Sequence, residues 1–108
     1  MKRGEVRWYT FQPPDKRRPV LILTRSSALS FLTMVTVAPI TTTMRDIPSE
    51  VFLGPADGLP SDCAVNLDNI QTISRAKVGA LIASLSVERM VAVQRAIRFA
   101  LGFDTALV

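Results

Sequence analysis

A chain of 108 residues that is 48% hydrophobic and 20% charged fits one domain with an ample core, 1–108, and is too apolar for disorder. Thirteen basic residues, ten of them arginine, against nine acidic ones give +4 at pH 7, a modest bias toward phosphate-bearing partners because the arginine fork grips phosphate in bidentate fashion. With no histidine and one cysteine, the sequence excludes an internal disulfide, Ser-His or Cys-His catalysis and the usual zinc sites.

Glu5 to Phe11 alternates, with Val6, Trp8 and Thr10 pointing one way and Arg7 and Tyr9 the other, which predicts a half-exposed strand. Gln12 to Arg17 is a rigid polar loop. Pro19 to Thr24 is a continuous apolar run and predicts a strand buried on both faces, with Pro19 at its beginning because it lacks an N–H. Ser26 to Leu32 suits a helical turn. Thr33 to Ile40 is a third strand, closed by Thr41-Thr42-Thr43, and Glu50 to Leu53 a short fourth. Gly54 to Gly58 has turn composition. Cys63 to Leu67 is a fifth strand, Gln71 to Ser74 a sixth, and Lys77 to Leu85 fits strand or loop.

Ser86 is a good N-cap for the one convincing helix, with Glu88 suited to its first turn. Met90, Val93, Ile97 and Leu101 mark its apolar stripe, Arg89, Arg95 and Arg98 lie off it, and Gly102 ends it. Five or six short strands followed by one helix predict a small, bent β-barrel with the helix packed on its side. A mean hydropathy of +0.27 is high for so short a chain and implies burial against a second subunit or partner. The start of the chain has no apolar run after its basic residues, and no stretch is long enough to span a bilayer, so a cytoplasmic protein is expected.

The polar residues that remain gather at three strand ends. These are Lys16-Arg17-Arg18 before the second strand, Thr41-Thr42-Thr43 after the third, and Asn66-Leu67-Asp68-Asn69 after the fifth. Such ends on one rim of a barrel can converge on one concave site. Each also has a plainer reading: Arg18 as a solvated strand flank, Thr41 and Asp68 as turn residues bonded to their own backbone. Cys63 and Trp8 are expected in core packing, Trp8 with base stacking as the alternative.

The segments Gly4-Glu5-Val6, Arg18-Pro19 with its apolar strand, Ala38-Pro39-Ile40-Thr41, Val65-Asn66-Leu67-Asp68-Asn69 and Gln71-Thr72-Ile73 occur in that order. Together they resemble the MazF/PemK family of toxin endoribonucleases from type II toxin–antitoxin systems, over about Lys2 to Gly102. The resemblance implies an SH3-like barrel with appended helices, assembled as a homodimer and blocked by a cognate, MazE-like antitoxin. It implies sequence-specific cleavage of single-stranded RNA, mainly mRNA, without metal or cofactor. The ribose 2′-OH attacks the adjacent phosphate, leaving a 2′,3′-cyclic phosphate and a 5′-hydroxyl.

By the same resemblance Arg18 and Thr41 are site residues, and Asp68 stands where several members carry a site carboxylate. With no histidine to compete, Asp68 is the expected base. Lys16, Arg17, Thr42, Thr43 and Asn66 are expected along the RNA path. Two departures stand out: the loop between the first two strands is shorter than in many members, and Asn66 replaces an arginine found in some. A non-enzymatic, gyrase-binding toxin of the related CcdB type and a plain RNA-binding barrel are the competing readings. Neither needs the Arg18 and Thr41 pair.

Overall fold

Apolar alternation becomes a curled antiparallel sheet in the computed structural model, which describes residues 1–14 and 16–104. Asp15, in the loop between the first two strands, lies outside the described residues. The strands are β1 (Glu5–Thr10), β2 (Arg17–Ile22), β3 (Met34–Thr41), β4 (Glu50–Leu53), β5 (Cys63–Asn66), β6 (Gln71–Ser74) and β7 (Leu81–Ser84), and the helix α1 is Val87–Ala100. The order across the sheet is β4-β5-β3-β2-β1-β7, and β6 pairs with β3 as well. The ambiguous stretch before the helix therefore supplies a strand, β7, which pairs with β1 across an irregularity between Val6 and Arg7.

Curvature comes from the run after β5. Both β5 and β6 lie antiparallel along one edge of β3, β5 beside Ile40 and Thr41 and β6 beside Met34 to Val37. Between them Leu67–Asn69 forms a 3-10 turn. Extra residues inserted into one strand bend it and increase its twist. The sheet therefore rolls into the half-barrel expected from the short strands.

Side chains leave the sheet on two faces. Toward α1 lie Val6, Leu21, Ala38, Ile40, Val51, Leu53, Cys63, Val65 and Leu67, packed with Val93 and Ala96 of the helix. Away from it lie Val20, Ile22, Val35, Val37 and Ile73, covered by Leu29, with Tyr9 and Phe11 against them. Strand β2 feeds both cores, Leu21 into one and its neighbours Val20 and Ile22 into the other, as its continuous apolar run requires. Tyr9 and Phe11 meet edge to face, ring centroids 4.8 Å apart, and β1, with Val6 alone fully buried, is the half-exposed strand expected.

The helix begins where the cap predicts: the Ser86 hydroxyl oxygen accepts the Arg89 N–H at 3.2 Å. It ends through Gly102, whose φ is +78°. Its buried residues are Val93 and Ala96, with Met90 and Ile97 packed beside them, whereas Leu101 is 55% exposed and has left the stripe. Gly58 is needed at its turn. Its φ is +91°, and a Cβ there would stand 2.9 Å from that of Ala83.

Candidate active site

Alternation along β2 decides which basic side chain faces what. Val20 and Ile22 enter the core away from α1, so Arg18 leaves the strand on that same side, and Arg17 on the other. On β3, Val35 and Val37 occupy the core away from α1, which sends Thr41 there too. Strands β2 and β3 pair Val20 with Pro39, Leu21 with Ala38 and Ile22 with Val37. Carried two residues further, this register sets Arg18 across from Thr41, and opposed residues share a face.

The row continues outward in both directions. Tyr9 of β1 pairs with Arg18, Ala64 of β5 with Thr41, and Phe52 of β4 with Ala64. Pro19 pairs with Trp8 and holds the start of β2 against β1, which positions Arg18 at the sheet's end. Thr41 is half-buried, and its Oγ1 accepts the Thr43 N–H at 3.1 Å. That contact uses a lone pair and leaves the hydroxyl hydrogen to donate outward. Thr42, Thr43 and Lys16 are exposed around the pair.

Arg17 and Asp68 each have a neighbour of their own. Arg17 does not line up with Arg18: its guanidinium lies over the Trp8 ring, 4.2 Å from the centroid, on the opposite side of β2. Trp8 is thus half-buried and already stacked. Asp68 stands apart from the Arg18 and Thr41 row. It follows Ala64 by four residues along β5 and its turn, and its Oδ2 accepts the Ser49 hydroxyl at 2.5 Å. Ser49 precedes Val51 and Leu53 at the spacing of the helix-side face and is 2% exposed. Ser49 lies in the turn before β4, and the carboxylate that it holds is itself exposed to solvent.

Asn66 is buried, and its Oδ1 accepts the Asp68 N–H at 3.0 Å, capping the 3-10 turn. Its link to the site runs through that turn. Sequence reasoning missed Ser49, although a polar residue in phase with Val51 and Leu53 is itself a signal of a buried partner. It also missed Phe52, an aromatic on the face of β4 away from that core.

Three titratable groups away from the row have shifted values. The Arg89 guanidinium, 2.9 Å from Asp57 Oδ1, holds that carboxyl below its ordinary value against the opposing effect of burial, helped by the Gly54 N–H. Burial pushes Glu5 up, but Arg7 at 2.9 Å and the Lys2 N–H outweigh it and leave the group lowered. Burial, then the charges of Asp57 and Asp62, push the Cys63 thiol up, so it behaves as the inert core residue expected. Among the described residues no three His, Cys, Asp or Glu side chains gather where a metal could sit, and no helix is long and apolar enough to cross a membrane.

Known proteins share this fold. Residues 2–101 match the family described as PemK-like, MazF-like toxin of type II toxin–antitoxin system. The chain is 44% identical over 90 residues to endoribonuclease MazF3 of Mycobacterium tuberculosis, covering 83% of this chain and 87% of that one. The solved Mycobacterium tuberculosis toxin MazF-mt6 superposes with a TM-score of 0.84 at 40% identity, covering 95% of this chain and 99% of the other. An endoribonuclease in complex with its cognate antitoxin, from a mycobacterial species, superposes with a TM-score of 0.83 at 29% identity over 94% and 95% of the two chains. A family match over nearly the whole chain, with relatives at this identity, settles the affiliation: this chain belongs to the PemK-like, MazF-like toxins of type II toxin–antitoxin systems, the family of the MazF endoribonucleases.

Proposed function

We propose that the chain cleaves single-stranded RNA, mRNA foremost, by attack of a ribose 2′-OH on the adjacent phosphate, with Arg18 and Thr41 at the reacting phosphate. The observation that carries this is the cross-strand placement of those two residues on one face. The Arg18 fork donates two parallel hydrogen bonds to phosphate oxygens and meets the charge that grows on them. The Thr41 hydroxyl, held from behind by the Thr43 N–H, donates a third. Lys16, Thr42 and Thr43 extend the donor surface along the RNA backbone. The bond to the 5′-oxygen breaks as the 2′-oxygen bond forms; the 2′-OH proton passes to water and the departing 5′-oxygen takes one up from water, leaving a 2′,3′-cyclic phosphate and a 5′-hydroxyl.

Positioning and charge stabilisation carry this step, and it needs no cofactor. Asp68 acts on the turn that holds Asn66 rather than on the 2′-OH. A gyrase-binding toxin or a passive RNA-binding barrel has no use for an arginine and a threonine paired at one phosphate.

Two partners belong to the proposal. One is a second copy of the chain. Val87, Val91, Phe99 and Leu101 are apolar yet exposed on and just after α1, beside a groove of about 620 Å³ that includes Leu23 and Leu85. The other is a cognate, MazE-like antitoxin, in line with the relative solved in complex with its antitoxin.

The test is incubation of purified protein with mixed-sequence single-stranded RNA in EDTA, alongside Arg18→Ala. Cleavage leaving 5′-hydroxyl ends, lost in the variant, is the expected result. Intact RNA at high protein concentration refutes the activity; equal cutting by the variant refutes the site. Light scattering at micromolar concentration should return twice the chain mass.

A further inference from the structure

We infer that the cleft at the outer edge of β4 is a nucleobase subsite, where one unpaired base of the single-stranded RNA stacks on Phe52; this rests on the ribonuclease reading above. Phe52 is 44% exposed, unusual for a phenylalanine inside a strand. Its neighbours Val51 and Leu53 are in the core under α1, so Phe52 projects from the opposite face, the one that carries Arg18 and Thr41. The register runs Thr41 to Ala64 to Phe52 across adjacent strands. Two strand spacings put Phe52 about 10 Å from Thr41, and only the small Ala64 stands between them. The ring is therefore beside the reacting phosphate without crowding it.

Chemistry separates what enters the cleft from what stays at the row. The cleft holds about 460 Å³ and has apolar walls from Met44, Phe52, Pro55 and Ala56. Its charged lining is Asp57, Asp62 and Arg89, and Arg89 is already bonded to Asp57. With Asp57 taken up by Arg89 and the Gly54 N–H, the lining keeps one net negative charge, from Asp62, which repels a phosphate but can accept an N–H group from a base edge. A nucleotide crossing from Thr41 to β4 thus leaves its phosphate with Arg18 and turns its base toward Phe52. Stacking on an aromatic ring is tolerant of sequence, so this contact adds affinity at one position, and a carboxylate at the rim favours bases that carry an exocyclic amine.

The experiment uses the full chain and an RNA oligonucleotide that it cuts, synthesised with an abasic ribose at each position in turn. Phe52→Ala is expected to raise KM about tenfold with kcat little changed, the scale of one lost base stack. Phe52→Trp restores KM. Phe52→Leu, which keeps apolar bulk without a π-face, does not, and that separates stacking from packing. One abasic position should cost the wild type the same tenfold and cost Phe52→Ala nothing more.

A wild type that neither binds nor cuts the RNA overturns the ribonuclease reading and the subsite with it. A wild type that cuts while Phe52→Ala keeps the same KM overturns the subsite alone, as does an abasic penalty undiminished in the variant. A lowered mass in light scattering with RNA kinetics intact assigns the cleft to a protein contact and also overturns it.

Discussion

The two faces of the sheet are built for different work from the same strands. The face under α1 is closed: its largest side chains are nearly solvent-free, the buried Ser49 gives its hydroxyl to the exposed Asp68, and Arg89 pairs with Asp57 at the margin. The opposite face is closed only over Val20, Ile22, Val35 and Val37, and opens at the row of Tyr9, Arg18, Thr41, Ala64 and Phe52. A carboxylate or an arginine means one thing on the first face and another on the second. On the closed face a charged group must be paired to be there at all. On the open one it can stand at the surface.

That contrast can be broken by substitution. The largest effect is expected from Arg18→Ala, which should lower the cleavage rate by about two to three powers of ten while leaving the melting temperature nearly unchanged. The mirror experiment is Leu21→Ala. Leu21 is 0% exposed, so the truncation should cost about 2–5 kcal/mol in denaturant unfolding. The folded fraction that remains should still cut RNA.

Ser49→Ala comes next. It strips Asp68 of the hydroxyl that holds it, and a loss of about 0.5–1.5 kcal/mol is expected, the net worth of one hydrogen bond, because water reaches the exposed carboxylate. Asp68→Asn sharpens the same point through activity: its cleavage rate should stay within about twofold of the wild type, the range of changes away from a working site. A hundredfold loss there would put the carboxylate back at the reaction.

The smallest effect belongs to the margin of the closed face. Asp57 has a lowered folded-state value because of Arg89, so its contribution is present above the unfolded value, near 3.8, and is lost as pH falls through the folded one. Arg89→Ala should therefore cost up to about 1 kcal/mol at neutral pH, since Arg89 is 44% exposed. The gap between variant and wild type should close below that pH. A gap that stays constant down to acid pH would mean the pair contributes nothing electrostatic.

How much of this was legible beforehand differs by element. Glu50–Leu53 and Gln71–Ser74 form strands at the expected bounds, and Ser86 caps the helix as expected, because each signal is local: alternation, β-branching, a hydroxyl before an apolar run. Lys77 to Leu85 stayed ambiguous because β7 owes its existence to pairing with β1, some seventy-five residues away in the chain. Arg18 and Thr41 were expected together through the family pattern, and the strand register sets them across from one another. The bond between Ser49 and Asp68 was not legible, because chain order says nothing about which loop a turn packs against.

Arg18-Pro19 opening an apolar strand, a threonine closing the next, a single capped helix and a histidine-free, arginine-rich composition are properties of the sequence by itself. They determined a small β fold and the family. Only the tertiary structure decided that adjacent Arg17 and Arg18 serve opposite faces, that Asp68 belongs to Ser49, and that Phe52 lies in line with Thr41. The physical reason is that a strand's side chains alternate with period two, so the face a residue serves depends on the register and partners of its strand, which are set by contacts distant in the chain.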